Sequence, residues 1–266
     1  MAQAEPNLDH DISWVLLPSH WAKIVVALIS FLCFANSYDG DFVFDDSEAI
    51  INNKDLRAET PLGDLWHHDF WGSKLSSNTS HKSYRPLTVL TFRINYLFAG
   101  GFYPVGFHVI NIILHCIISV LMVDVFSILL GGLQFTNKGR RLNLAPKTSL
   151  LAALLFAVHP VHTECVAGIV GRADLLCALF FLLSFLGYCK AFRESKHYVC
   201  TFNFVLLAVE ILLWRNFRGS LLNKICSLVS ECVLPQEIVE SFGEPMKNCA
   251  VKSLCDISSI GMAYDV

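Results

Sequence analysis

The sequence predicts an all-α polytopic membrane protein, and three observations predict it. The first is composition. Of 266 residues, 54% are hydrophobic and only 16% charged, against roughly 25% charged in an average soluble domain, and the mean hydropathy is +0.49. This excludes a disordered tail, a collagenous chain and an ordinary soluble enzyme. The formal net charge of −3, without a basic stripe, argues against a nucleic-acid partner. The second observation is a series of apolar stretches. A bilayer core of about 30 Å takes roughly 20 residues at the helical rise, and inside lipid each backbone polar group must be paired within its own segment, which selects helices. The third is where the basic residues fall between those stretches.

Residues 15–37 form the first span, broken only by Lys23. Its leader, residues 1–14, carries Glu5, Asp9 and Asp11 where a cleaved signal would be basic, so a retained anchor is expected. Residues 107–130 form the second span, with one acid, Asp124, expected near the cytoplasmic end or against another helix. Residues 149–158 are short for a span unless they continue toward His162. Residues 175–188 form the fourth. Residues 198–214 are a weak fifth, interrupted by Glu210, with Lys196 before it and Arg215 and Arg218 after it. The tail, 219–266, is weakly patterned, has Pro235 and Pro245 as breakers, and is expected to be poorly ordered. Its cysteines match no zinc spacing. Cys33, Cys116, Cys177 and Cys189 read as packing residues of apolar helices.

Orientation follows from the cations. Lys138, Arg140, Arg141 and Lys147 lie between the second and third stretches, and Lys190, Arg193 and Lys196 follow the fourth. The positive-inside rule places both segments and residues 1–14 in the cytoplasm, and loops 38–106 and 159–172 in the lumen. The N-glycosylation sequon Asn78-Thr79-Ser80 falls inside the longer of these loops, in agreement.

The long loop opens with Asp39-Gly40-Asp41-Phe42-Val43-Phe44-Asp45-Asp46, crowding its acids at a membrane exit. In a turn, Asp45 and Asp46 can face different partners. Carboxylates crowded beside lipid raise one another's pKa, which suits a general base. The competing reading is a solvated loop whose aspartate caps a helix over 47–52. Farther on, the aromatics of Trp66-His67-His68-Asp69-Phe70-Trp71 read as interfacial anchors. Arg85 is either a planar fork for a phosphate or an arginine reaching for headgroups. The second loop reads His159-Pro160-Val161-His162-Thr163-Glu164, then Gly171-Arg172-Ala173-Asp174. Two histidines and an acid suggest a metal, but the spacing is not H-E-x-x-H and Pro160 breaks the helical register, so no metal site is assigned. The better reading is a polar cluster at a helix–loop–helix mouth, facing the acids of the first loop. Arg172 and Asp174 read equally as an ion pair at the start of the fourth span.

The segments DGDFVFDD, ETPLGDLWHHDFWG, SYRPLTVLTFRINY, FHVINIILH, LLFAVHPVHTE and GRADLL, in that order within residues 14–195, resemble the TMTC (transmembrane and TPR-repeat-containing) protein O-mannosyltransferases. The resemblance implies that residues 15–197 are the N-terminal part of a GT-C-type glycosyltransferase helical bundle in the endoplasmic reticulum membrane. It implies transfer of mannose from dolichyl phosphate mannose to Ser or Thr hydroxyls of cadherin-type domains. On that reading, one of Asp45 and Asp46 removes the acceptor proton. Arg85, His159, His162 and Arg172 hold the departing phosphate, and Glu164 orients the cluster or serves as second acid. Inversion at the sugar carbon is expected. After about residue 196 the resemblance ends, with neither the further spans nor the 34-residue repeats that the family implies. The expectation is therefore a truncated or alternative product, weakly active or inactive alone. The contrasting expectation is a non-catalytic membrane interaction protein or regulatory isoform, indifferent to Asp45 and Asp46. A small transporter is disfavoured, because the acids sit in loops and no inverted repeat shows.

Overall fold

The computed structural model describes Asp9 and residues 16–132, 134–135 and 141–194. The fifth stretch, 198–214, the tail, 219–266, and most of the leader lie outside the described residues. Within them the chain forms six α-helices: α1 (Ser19–Phe34), α2 (Pro86–Ala99), α3 (Pro104–Gly131), α4 (Pro146–Val158), α5 (Thr163–Ala167) and α6 (Arg172–Glu194). Between α3 and α4, the two-residue strands β1 (Gln134–Phe135) and β2 (Arg141–Leu142) pair antiparallel.

Proline starts α2, α3 and α4. Its fixed φ suits the first helical position, and its missing N–H would have been unpaired there in any case. Among the described residues, three helices are long and apolar enough to cross a membrane: Ser19–Ser37, Pro104–Gly131 and Ile169–Lys190. The third sequence stretch is not one straight span. Pro146–Val158 and Pro160–Ala167 reach that length only together, with a bend of 43° between them. The bend has a local cause: Pro160 forces His159 out of the helical region, to ψ 127°.

The long helix α3 is central and packs against α1, α4 and α6. Toward the ends bearing Ala22 and Leu150, a core of Ala22, Val26, Val123, Leu150, Ala153 and Ala157 joins α1, α3 and α4. Its alanines let the backbones approach closely. Here the Lys23 ammonium donates to the Asp124 carboxylate at 2.6 Å, linking α1 to α3. Asp124 thus packs against another helix, as its position suggested. Asp9 reaches the start of α4, where its carboxylate accepts from Lys147 N (3.0 Å), Thr148 N (3.0 Å) and Thr148 Oγ1 (2.9 Å). The outer faces of α1 and α3 leave Leu28, Phe31, Leu32, Ile113 and Ile117 exposed, as lipid-facing residues should be.

At the other end, the long loop is itself folded. Ala49, Ile50, Leu56, Leu65 and Phe70 from the loop share one core with Val89 and Phe92 of α2, Phe107 of α3 and Ile169. Polar side chains tie its turns to backbone. Asn53 donates to the carbonyls of Ala49 and Phe70, both at 3.1 Å. Asp69 accepts from Trp71 N, Ser73 N and Ser80 Oγ at 3.0, 2.9 and 2.6 Å. Arg93 of α2 donates to the carbonyls of Asp55 (3.1 Å) and Thr60 (2.7 Å). Phe70 is buried in this core and is not an interfacial anchor.

Candidate functional site

The acidic turn forms the mouth of this end. Its backbone passes through a left-handed residue, Phe44, at φ 46°, a conformation that non-glycine residues seldom adopt. The turn separates the two neighbouring acids. Asp45 is exposed, and Asp46 is 2% exposed. The Asp46 carboxylate accepts from Val43 N at 3.1 Å and from Val170 N at 3.0 Å. The second bond fastens the acidic turn to the second loop. Asp46 does not cap the wide π-type turn Ser47–Ile51 that follows it; its oxygens point elsewhere, which corrects the capping reading. Burial pushes the Asp46 carboxyl above the usual aspartate range. The two N–H donors and His108 oppose that rise, and the neighbouring charge of Asp45 adds to it.

Val170 sits in the short turn Ile169–Gly171. A Cβ on Gly171 would stand 2.6 Å from both the Cα and the carbonyl oxygen of Cys165, so only glycine lets this turn fold back so closely on α5. The next residue, Arg172, is fully buried. It donates to Asn111 Oδ1 (3.0 Å), Asn95 Oδ1 (3.1 Å) and the Phe107 carbonyl (2.9 Å), with the Thr91 carbonyl at 3.5 Å. Its guanidinium lies over the rings of Phe92 and Phe107. These bonds engage neutral partners on α2 and α3, so the expected Arg172–Asp174 ion pair is replaced.

Arg85 stands over the Phe70 ring at 5.0 Å, and its Nε is buried without a hydrogen-bond partner. Burial lowers the pKa of this guanidinium, and Asp174 counters the effect. The histidines of the second loop look another way. The exposed His159 accepts from Val161 N at 3.2 Å. His162 packs on Phe156 (4.4 Å between ring centres) and His115 (5.0 Å). Glu164 is exposed in the first turn of α5. Asn78 is exposed on the long loop, while Ser80 of the same sequon is buried on Asp69. Among the described residues, no group of three or more His, Cys, Asp or Glu is arranged to hold a metal.

The structure therefore joins Asp46 to the second loop. It gathers His159 and His162 with the aromatic rings at the α4 corner. One residue there escaped the sequence reading. His108, in the first turns of α3, is buried with its ring beside Gly40 of the acidic turn. Its signal was a polar stripe: His108, Asn111, His115 and Ser119 recur at helical spacing through an otherwise apolar span and are all buried.

Compared with known proteins, the chain is 80% identical over 196 residues to human "Protein O-mannosyl-transferase TMTC4", a match covering 74% of this chain and 26% of that protein. It is 76% identical to the mouse TMTC4 protein over 73% of this chain and 26% of that protein. With human "Protein O-mannosyl-transferase TMTC1" it shares 48% identity over 65% of this chain and 18% of that protein. The chain thus spans about a quarter of the length of the TMTC4 proteins it matches. No family model matches it, and no solved structure matches it.

Proposed function

Because the chain belongs to the TMTC family over those 196 residues, we propose that it carries the acidic mouth of a protein O-mannosyltransferase, on a GT-C-type bundle in the endoplasmic reticulum membrane. The donor is dolichyl phosphate mannose, and the acceptors are Ser and Thr hydroxyls of cadherin-type domains. Asp45 is the base: it is exposed, whereas both oxygens of Asp46 already accept from backbone. Asp45 takes the hydroxyl proton as that oxygen bonds to the sugar carbon. The bond from sugar to phosphate breaks, and the phosphate leaves with the electron pair. Displacement with one base inverts the sugar carbon.

Arg85 receives the phosphate, since its buried Nε has no other partner and a guanidinium fork matches phosphate oxygens. His159, His162 and Glu164 line the rim of the second loop. Asn78 carries an N-glycan. Arg172 we assign to the architecture, its bonds being spent on α2 and α3. The observation that carries this reading is the bond from Val170 N to Asp46, which draws the two loops into one mouth.

The test is mannosyl transfer by the chain in microsomes, alongside photo-capture of a dolichyl phosphate analogue. Transfer should vanish in Asp45→Asn, and capture should fall in Arg85→Gln. Undiminished transfer by Asp45→Asn removes the proposed base. An Asn78 that is never glycosylated, in membranes that glycosylate a control sequon, counts against the luminal placement.

A further inference from the structure

The glycosylation triplet Asn78-Thr79-Ser80 is divided by the folding of its loop. Asn78 and Thr79 are exposed, whereas Ser80 is 9% exposed. The Ser80 hydroxyl donates to Asp69 Oδ2 at 2.6 Å and accepts from Lys82 N at 3.1 Å. A bond from a hydroxyl to a carboxylate is short and roughly twice as strong as one between neutral groups. The other oxygen of Asp69 accepts from Trp71 N and Ser73 N, so the partner of Ser80 is itself held in place. The loop is closed from its far side as well. Lys82, left-handed at φ 57°, donates from its ammonium to the carbonyls of Leu75 and Ser77.

The triplet is defined by its third residue as much as by its first: N-glycosylation requires a hydroxyl there. An exposed asparagine therefore does not suffice. We propose that folding of this loop closes the acceptor site: Asn78 takes its glycan while the chain is being made, and the bond from Ser80 to Asp69 withdraws the required hydroxyl once the loop has folded. The step joins the Asn78 side-chain nitrogen to the first sugar of a lipid-linked oligosaccharide diphosphate. That nitrogen gives up one proton to the glycosylating enzyme, the bond from sugar to diphosphate breaks, and the lipid diphosphate leaves with the electron pair. Because Asn78 is exposed, the finished glycan projects into solvent and leaves the Asp69 turn intact. The fold thus admits the glycan but blocks its addition. The inference rests on the luminal placement of the long loop and is independent of mannosyl transfer.

The experiment translates the full chain into microsomes in two arms and reads the glycan as an endoglycosidase-sensitive shift on a gel. In the first arm glycosylation is active throughout synthesis. In the second, a competing acceptor tripeptide is present until the chain has folded and is then washed out. Wild type should carry the glycan in the first arm and little or none in the second. Asp69→Ala, which frees the Ser80 hydroxyl, should gain it in both. That change also strips Trp71 N and Ser73 N of their acceptor, so a second variant separates the hydroxyl from the fold. Ser77→Asn with Asn78→Gln moves the triplet one position earlier, leaves the bond from Ser80 to Asp69 in place, and puts the exposed Thr79 in third position. It should gain the glycan in both arms.

Equal glycosylation of wild type in the two arms overturns the proposal. So does a shifted triplet that is accepted in the first arm and refused in the second. Wild type bare in both arms overturns it too. If the shifted triplet is then glycosylated, the loop is luminal and only this inference fails. If it also stays bare beside a glycosylated control protein, the luminal placement fails with it.

Discussion

Arg172 offers a sharp test of whether a buried cation serves architecture or an anion. In Arg172→Met the side chain keeps comparable length but loses every donor. Asn111 Oδ1, Asn95 Oδ1 and the Phe107 carbonyl lose bonds of 2.9 to 3.1 Å. Each buried acceptor left unmet costs about 1–3 kcal/mol. Removing a buried charge that has only neutral partners returns part of this, so the net expected loss is about 2–4 kcal/mol. For a chain of this size, that lowers the melting midpoint by roughly 5 °C or more. Arg172→Lys should be nearly as damaging, because an ammonium cannot reproduce a planar fork that spans two helices. The assay is thermal unfolding of the purified chain in detergent, with glycosylation-competent yield in membranes as a check. If both variants melt with wild type while donor capture collapses, Arg172 binds the anion and the architectural assignment is wrong.

Four further outcomes follow from the same structure. Asp46→Asn should loosen the mouth, since a carboxamide cannot accept both N–H groups through two equivalent oxygens, and limited proteolysis should then cut near residues 41–46. Asp45→Asn should leave that proteolysis pattern unchanged while lowering transfer by about 10²–10⁴-fold. Asp9 sits below its ordinary value of 3.8: burial raises it, but the bonds from Lys147 and Thr148 and the Lys147 charge together outweigh burial. A lowered carboxyl contributes stability above its ordinary value and loses it as pH falls through the folded value. The cap on α4, worth about 1 kcal/mol, should therefore fade in acid for wild type but not for Asp9→Asn, as read by melting against pH. Lys23→Met should destabilise more than Lys23→Met with Asp124→Leu, because the single change takes the ammonium from the Asp124 carboxylate and leaves its charge between α1 and α3.

The spans were legible because lipid imposes a length and forbids unpaired backbone. Residues 107–130 and 175–188 lie within α3 and α6. The third stretch was legible as too short, and Pro160 marked the place of its bend. The folded long loop was not legible. Asn53, Asp69 and Arg93 bond largely to backbone atoms of distant turns, and no side-chain pattern announces a carbonyl as partner. The separate fates of Asp45 and Asp46 were equally hidden, because they depend on where Val170 returns. Arg172 misled because sequence placed an acid two residues away, whereas its partners Asn111 and Asn95 stand 61 and 77 residues distant. His108 was visible only as one step of a stripe, and stripes in apolar helices most often report packing.

The bond from Val170 to Asp46 crosses 124 residues of chain, and that distance has a counterpart in time. At about 5–20 residues per second, a ribosome needs roughly 6–25 s to make the segment between them. Throughout that interval the nascent acidic turn lacks the turn Ile169–Gly171 that will fix it, and one carboxylate oxygen must be served by water. The mouth is therefore finished last, when the start of α6 arrives, although its acids are among the earliest residues synthesised. Substitutions in Ile169–Gly171, far along the message, should disturb the acidic turn as surely as changes within it.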